Sequence, residues 1–226
     1  MGQPHGVAVD ATDNIYVADA ERGMVVVFDH NGNFVRYVGY YRGEPEYARP
    51  TGIAIDPEAG YLYLSDTPRN LVFVLDLNGN VLKRVGRLRD GSGAATTFDE
   101  PTDIAVNHGH VFVLDGHGTS VQVLDREGNP LGLGSFVFSR IPDPVMNRDN
   151  GLAADHEGNI YVSSFHSSTI RVFSPDGRPL STVGQPGQTV GQFICPEGLW
   201  IDSANRLYVA DSGNGRVQVF QLKAAD

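Results

Sequence analysis

The side chains best suited to chemistry occupy one position of a motif that occurs five times. Each copy is a short apolar run preceded by a polar residue and then glycine or aspartate. The five polar residues are His5, Thr51, Thr102, Asn150 and Glu197. If the runs are neighbouring strands, these residues share one end of the sheets, where oxygen atoms from different strands suit a hard cation such as Ca²⁺. No catalytic residue is predicted.

A second set of polar side chains ends the apolar run that follows each motif. The set is Asp19, Asp66, Asp115, Ser164 and Asp211. Short polar side chains at such positions accept hydrogen bonds from the turn that follows them. We therefore interpret this set as a structural device that recurs with the repeat, and not as a row of catalytic carboxylates.

The histidines do not form a ligand set in the sequence. Zinc needs three or four ligands, and His5 is the only histidine among the five motif positions. His117 and His166 fall in the same turn of adjacent units, where they could form a transition-metal pair or a pH-sensitive patch, and we interpret both as simply solvated. His108 and His110 lie in a hairpin turn and are expected at the surface.

Composition excludes several classes of function. Seventeen basic and 27 acidic residues give a net charge of −10, which repels nucleic acid. No apolar run is long enough to span a membrane, and the sequence contains no nucleophile elbow, phosphate-binding loop or cysteine pair. The first residues carry no export signal, so the chain is expected either in the cytoplasm or exported within a longer chain.

Short strands are the elements that must position these residues. The motif begins near residues 4, 50, 101, 149 and 196, and each copy leads into two further β-branched or aromatic runs separated by polar turns. A fourth run closes four of the units, including residues 130–134 in the third unit; the apolar segment 135–146 is left open as either a strand or a cover. Repeated four-stranded units at this interval must stack to bury their faces. The sequence predicts one all-β domain over residues 1–226, a β-propeller of four-stranded antiparallel blades.

The three runs of the last unit, from Pro196 to Phe220, carry the pattern Pro-x-Gly-Leu-x-Ile-Asp, Leu-Tyr-Val-Ala-Asp and Asn-x-Arg-Val-Gln-Val-Phe. This pattern resembles the NHL repeat, and the resemblance extends over nearly the whole chain in five copies. It implies a β-propeller, in that family usually six-bladed, that binds proteins or peptides. The fifth copy has no fourth run, so the chain is either five-bladed or part of a six-bladed ring. An open ring exposes a strand edge, which makes pairing of two copies a predicted alternative.

Two further resemblances concern enzymes. Asn150-Gly-Leu-Ala resembles the stretch that supplies a calcium ligand in propeller lactonases of the gluconolactonase type, and Glu197-Gly occupies the place of their Asp-Gly. Pro4-His5 resembles the peptidyl-hydroxyglycine lyase propeller, in which such histidines from three blades bind zinc. The other blades here carry no histidine at that place, which argues against the zinc site.

Three functions follow from these patterns. The first is a non-catalytic recognition propeller that binds a protein or peptide at the channel mouth, with no cofactor. Its contacts are the five motif residues and a linker rich in tyrosine, through Tyr40, Tyr41, Arg42 and Tyr47, whose alternative is ordinary packing between blades. The second is a metal-dependent hydrolase of lactones or related esters that uses Asn150 and Glu197. The third is a structural blade array within a larger protein.

Overall fold

Five antiparallel sheets arranged as the blades of a propeller make up this chain. The computed structural model describes residues 1–41, 44–86, 88–89, 95–96, 98–116, 120–131, 136–137 and 151–223. Four sheets have four strands each and the fifth has three, in simple up-and-down order. The all-β propeller predicted from the repeat is confirmed. Among the described residues, no helix is long and apolar enough to cross a membrane.

The blades follow the five repeats. Blade 1 consists of β1 (Pro4–Val9), β2 (Ile15–Asp19), β3 (Met24–Phe28) and β4 (Phe34–Val38), and a small ladder of β5 (Tyr40–Tyr41) and β6 (Glu44–Pro45) follows it. Blade 2 consists of β7 (Pro50–Asp56), β8 (Tyr61–Asp66), β9 (Leu71–Asp76) and β10 (Val81–Val85), with a 3₁₀ turn at Thr67–Arg69 and a ladder of β11 (Leu88–Arg89) and β12 (Ala95–Thr96) after it.

The remaining three blades are shorter in places. Blade 3 consists of β13 (Asp103–Asn107), β14 (His110–Asp115), β15 (Ser120–Asp125) and β16 (Phe136–Val137). Blade 4 consists of β17 (Leu152–Ala154), β18 (Ile160–Ser164), β19 (Thr169–Phe173) and β20 (Pro179–Val183). Blade 5 consists of β21 (Pro196–Ile201), β22 (Arg206–Asp211) and β23 (Arg216–Gln221), with a 3₁₀ turn at Ser212–Asn214.

The predicted fourth strand of blade 3 lies mostly outside the described residues. It was expected at residues 130–134, of which 132–134 are not described. Pro130 forms an isolated bridge to Leu124, and the Leu131 N–H donates to the Val123 carbonyl oxygen at 2.9 Å. Further along the chain, β16 pairs with β15 through Ser120 with Val137 and Val121 with Phe136. The start of the predicted run therefore pairs with β15, and its remainder stays a prediction.

Successive blades bury the apolar faces that they turn to each other, because alternate residues of a strand point to opposite faces. We call the side that a blade turns to the next blade its forward face, and the opposite side its rear face. At the seam between blades 1 and 2, Val25 and Val27 of the forward face pack with Leu62, Leu64 and Phe73 of the rear face, and all are buried. Equivalent clusters join blades 2 and 3, 3 and 4, and 4 and 5. A fully buried side chain of this size stabilises the fold by about 1.5–3 kcal/mol, so the seams hold the propeller together.

Candidate functional site

Antiparallel order brings the predicted polar positions to one end of the propeller. The start of each inner strand pairs with the end of the second strand, as in Pro4 with Asp19 and Pro50 with Asp66. A register shift follows the first pair in blades 1, 2 and 5. Such a bulge turns a side chain away from its regular direction, and the residues affected include His5, Thr51 and Glu197. We call this end of the molecule the mouth face.

Thr51 is not available to a ligand. Its side chain is only 4% exposed, and its hydroxyl lies 3.0 Å from that of Ser65 and 2.8 Å from that of Thr67. The Thr67 hydroxyl in turn donates to the Pro101 carbonyl oxygen of blade 3 at 2.7 Å. The prediction that Thr51 contacts a ligand is therefore wrong, because its hydroxyl belongs to a chain of hydrogen bonds that joins blades 2 and 3.

The other motif residues have different surroundings. The Thr102 hydroxyl oxygen is buried and has no hydrogen-bond partner among the described residues. Glu197 is half-buried, and its carboxylate accepts a hydrogen bond of 2.8 Å from the Ser212 hydroxyl. His5 is half-buried as well. Asn150 lies outside the described residues, as does Arg42 of the linker. His5 and Glu197 are therefore partly exposed on the mouth face. A contact of Asn150 with a ligand stays a prediction.

Buried carboxylates fix the backbone of the mouth face. Asp19 accepts hydrogen bonds from the backbone N–H groups of Gly2 at 2.7 Å and Gln3 at 3.2 Å. Asp66 binds those of Ala48 and Arg49 at 2.9 and 3.0 Å. These donors lie in the segment that leads into the inner strand of the blade, and Asp19 also accepts a hydrogen bond of 3.2 Å from the Arg22 N–H in the turn that follows it. This confirms a structural role for the two carboxylates. The following turn was the expected source of donors, and the lead-in segment is an additional one.

The same carboxylate position has different electrostatics in different blades. Burial opposes ionisation of Asp211, but hydrogen bonds from Ile194, Asn214, Arg216 and Gln218 outweigh it and lower its pKa. At Asp115, by contrast, burial is the dominant effect. The hydrogen bonds that the carboxylate accepts do not compensate for it, so the pKa of Asp115 is raised. The Arg216 guanidinium lies 2.8 Å from Asp211, and this close cation accounts for part of the difference.

An open depression of about 540 Å³ lies on the mouth face beside blades 1 and 2. Its lining consists of Gly2, Gln3, Ala20, Glu21, Ala48 and Arg49. The side chains of Glu21 and Arg49 are exposed. The wall is fixed because Asp19 and Asp66 bind the backbone of both lead-in segments. Sequence reasoning missed this site, since glycine, alanine and backbone groups carry no chemical signature; the recurring aspartates were the only indication of it.

The tyrosine-rich linker contains a short strand and one core tyrosine. Tyr40 and Tyr41 form β5, which pairs with Glu44 and Pro45. Tyr47 is only 1% exposed, and its ring lies 5.0 Å from that of Phe73 in an edge-to-face arrangement. Burial raises the pKa of the Tyr47 phenol. The prediction that Tyr47 contacts a partner is wrong, and the packing alternative holds because the seam offers this ring an apolar site.

Metal-binding chemistry has limited support in the part of the chain that the structure describes. No group of three or more His, Cys, Asp or Glu side chains there could hold a metal ion. Glu197 is the one predicted ligand with known surroundings, and Asn150 is not described. On the opposite rim, His108 Nε2 lies 3.2 Å from the His156 carbonyl oxygen, which makes it part of a contact between blades 3 and 4.

Comparison with protein families agrees with this architecture. A family described as a six-bladed β-propeller, DUF5128, matches residues 1–92. The NHL repeat matches residues 193–220, which cover blade 5 and confirm the resemblance seen in its sequence. Each match covers less than half of the chain, and together they describe its two ends.

Solved structures with similar folds include a protein complex and two enzymes. A nidogen/laminin complex contains a chain that is 16% identical, with a TM-score of 0.68 and coverage of 97% of this chain and 76% of that one. A gluconolactonase from Xanthomonas campestris is 19% identical, with a TM-score of 0.65 and coverage of 91% and 68%. A streptogramin B lyase is 14% identical, with a TM-score of 0.60 and coverage of 92% and 61%, so this chain spans less than two thirds of that enzyme. At such identities the likeness concerns the fold alone.

Proposed function

We propose that this chain is a recognition propeller that binds an extended peptide segment of a partner protein in the depression on its mouth face. The observation that carries the proposal is the construction of that depression. Ala20 and Ala48 present only small side chains to it, and the oppositely charged Glu21 and Arg49 stand exposed beside it. A peptide with one basic and one acidic side chain at suitable spacing complements both.

The fixed backbone of the depression supports binding. Four hydrogen bonds from Gly2, Gln3, Ala48 and Arg49 to buried carboxylates hold its wall before any ligand arrives. A preformed site avoids the entropy cost of ordering loops on association, which is about 0.5–1.5 kcal/mol for each immobilised side chain. The charged pair contributes orientation and specificity more than affinity. The similar fold in a nidogen/laminin complex shows that this architecture occurs in a protein assembly.

A random dodecapeptide display library, selected on the immobilised chain, provides the first test. The selected peptides are expected to contain both a basic and an acidic residue. In fluorescence anisotropy titrations, the charge-exchanged variant Glu21→Arg/Arg49→Glu should bind them at least about tenfold more weakly, which is about 1.4 kcal/mol. The net charge of the chain is unchanged in this variant.

A matched exchange controls for general effects of surface charge. Asp176 and Arg178 form an ion pair with side chains 64% and 76% exposed, in the turn between β19 and β20. Because this turn lies at the opposite end of the blade, Asp176→Arg/Arg178→Asp should leave peptide binding unchanged. Equal loss of binding in both exchanged variants, or a selection that enriches no peptide, would contradict the proposal.

The hydrolase hypothesis makes a separate prediction. The half-buried Glu197 carboxylate at the mouth is the observation in its favour. If Glu197 and Asn150 hold Ca²⁺, calorimetric titration with calcium should give binding heat that disappears in Asn150→Ala/Glu197→Ala. Absence of calcium binding by the parent chain would end this hypothesis and leave the peptide-binding proposal intact.

A further inference from the structure

The two end blades each leave one apolar face uncovered. Val7 on the rear face of blade 1 is 60% exposed, whereas Ile53 at the same repeat position of blade 2 is 5% exposed. On the forward face of blade 5, Val217 is 64% exposed, whereas Val72 at the same position of blade 2 is 0% exposed. Blades 1 and 5 therefore do not cover each other as successive blades do. We call the space between their two faces the terminal cleft.

The exposed apolar side chains concentrate on these two faces. The rear face of blade 1 and the forward face of blade 5 contribute Val7, Val9, Phe34, Tyr37, Trp200, Val217 and Val219. One position on the fourth strand is also exposed in several blades. It is occupied by Val35, Leu82 and Leu180 in blades 1, 2 and 4, and these side chains are 48–52% exposed. That exposure is common to several blades, whereas the exposure in the terminal cleft is specific to the end blades. Apolar patches of this kind mark interaction surfaces.

Gly198 provides an independent indication of what covers the cleft. It aligns with Gly6, Gly52 and Gly151, and none of these four glycines has a positive φ. A Cβ at Gly6, Gly52 or Gly151 would lie 2.2–2.5 Å from the backbone of the next inner strand. At Gly198 the nearest atom is Ala210 Cβ of its own blade, at 3.8 Å. Glycine is needed at this position in blades 1, 2 and 4 because the next inner strand passes close to it. Blade 5 has the same glycine, but no following inner strand passes close to Gly198 among the described residues.

Strand pairing at the same place is incomplete. Blades 1 to 4 each have a fourth strand on the outer side of the third. In blade 5, β23 is the outermost strand among the described residues. A bare edge of this kind is a template for further strand pairing. The cleft therefore offers both an apolar face and an unpaired edge on the side of blade 5.

We propose that the terminal cleft accepts one further four-stranded blade of the same repeat type. Its rear face would cover Trp200, Val217 and Val219, and its forward face would cover Val7 and Val9. The four existing seams show which partner such faces take. The family that matches residues 1–92 is described as a six-bladed propeller, and a ring of that kind has one position left when five blades are in place.

Direct packing of blade 1 on blade 5 is not observed, because Val7 and Val217 are 60% and 64% exposed. Trp200 distinguishes this face of blade 5 from the other forward faces. At its position the four other blades carry alanine, namely Ala8, Ala54, Ala105 and Ala153. An indole needs more room than alanine, so the inner strand of the added blade must lie further from blade 5 at this point than in the four existing seams.

The unmodified chain provides the first measurement. Trp200 is its only tryptophan and is 58% exposed, so its fluorescence reports directly on the cleft. We expect a monomer by light scattering, emission typical of a hydrated indole and efficient quenching by acrylamide. A dimer with a shielded indole would overturn the proposal in favour of a second copy.

A graft in repeat register tests the occupant. Residues 221–226 are replaced by a second copy of residues 29–86, which supplies the missing fourth strand, a linker and a complete blade. The expected product is a monomer in which Trp200 emission shifts to the blue and its acrylamide quenching constant falls several-fold. A second graft places residues 50–86 and then 40–49 before Pro4, so that the same blade reaches the cleft from the other side.

A pair of equally exposed residues serves as the control. Val219 and Leu180 are both 51% exposed, and Val219→Asp and Leu180→Asp should be tolerated equally in the unmodified chain. In the grafted chains only Val219→Asp should lower the unfolding midpoint and restore quenching, because only Val219 lies in the cleft. Exposed Trp200 in both grafts, or loss of cooperative unfolding in both, would overturn the proposal.

Discussion

The seam between blades 2 and 3 and the forward face of blade 5 use the same residue types and differ in burial. Val72 and Val74 of blade 2 are 0% and 2% exposed, and Val217 and Val219 at the same positions of blade 5 are 64% and 51% exposed. Valine occupies the same two positions in both strands, so the alternation specifies that the forward face is apolar. Whether that face becomes core depends on a neighbouring blade. Substitutions in matched pairs can therefore separate the two regions by their effect on stability.

The largest contrast is expected between two aromatic residues. Tyr47→Ala should lower the free energy of unfolding by about 3–5 kcal/mol, because it empties a packed site against Phe73. Trp200→Ala should change it by no more than about 0.5 kcal/mol, because the indole is exposed. Urea denaturation followed by circular dichroism measures both. A small effect of Tyr47→Ala would indicate that Tyr47 is exposed in solution, and it would favour the prediction that this residue contacts a partner.

Aspartates that bind backbone N–H groups give the second contrast. Asp66→Ala should cost about 3 kcal/mol or more, because it leaves the N–H groups of Ala48 and Arg49 without their charged acceptor. Asp29→Ala is the matched control, since its carboxylate accepts hydrogen bonds from the exposed turn at Asn31 and Asn33. Its effect should be smaller because water replaces the acceptor. Amide hydrogen exchange should accelerate at Ala48 and Arg49 only in Asp66→Ala.

Valines at one repeat position give the third contrast. Val72→Ala should cost about 2 kcal/mol, from two buried methyl groups and the cavity they leave. Val217→Ala should stay within about 0.5 kcal/mol in the chain as it stands. The same denaturation experiment measures both. Equal losses would show that the forward face of blade 5 is covered in solution, by a second copy or by blade 1.

These contrasts show how far the sequence can be interpreted. Alternation in runs such as Val217 to Phe220 predicted the strands and their apolar sides, since strand geometry has a period of two. Tyr47 was misassigned because linkers have no period that separates packing from exposure. Thr51 was misassigned because its partners, Ser65 and Thr67, lie in another strand and turn. Contacts across a seam depend on how blades stack, and the order of residues along one blade does not specify them.

Acid titration should distinguish two carboxylates with opposite shifts. Burial opposes ionisation of Asp10, but hydrogen bonds from Asn14 and Thr12 outweigh it and lower its pKa to about 2. Its stabilising contribution is complete above about pH 4 and is lost as the pH falls towards 2. Asp115 has a raised pKa, so its ionisation costs stability at neutral pH and its protonation in acid relieves that cost.

Unfolding free energies between pH 7 and pH 2 measure this difference. Asp10→Asn should destabilise the chain at pH 7, and the loss should shrink as the parent is protonated. Relative to the parent, Asp115→Asn should lose stability as the pH falls, because protonation relieves the cost of the ionised Asp115 in the parent alone. Parallel curves for parent and variant would show that the substituted carboxylate does not couple to folding.

The smallest contrast concerns two phenol groups and has opposite signs. The Tyr47 hydroxyl oxygen is buried and has no hydrogen-bond partner among the described residues, so Tyr47→Phe should stabilise the chain by about 1 kcal/mol. The Tyr208 hydroxyl donates to Asp202 at 3.1 Å, so Tyr208→Phe should destabilise it by a similar amount or less. Chemical denaturation resolves differences of this size in pairs of variants. Destabilisation by Tyr47→Phe would mean that the seam supplies the phenol with a polar partner and is less apolar than the packing against Phe73 indicates.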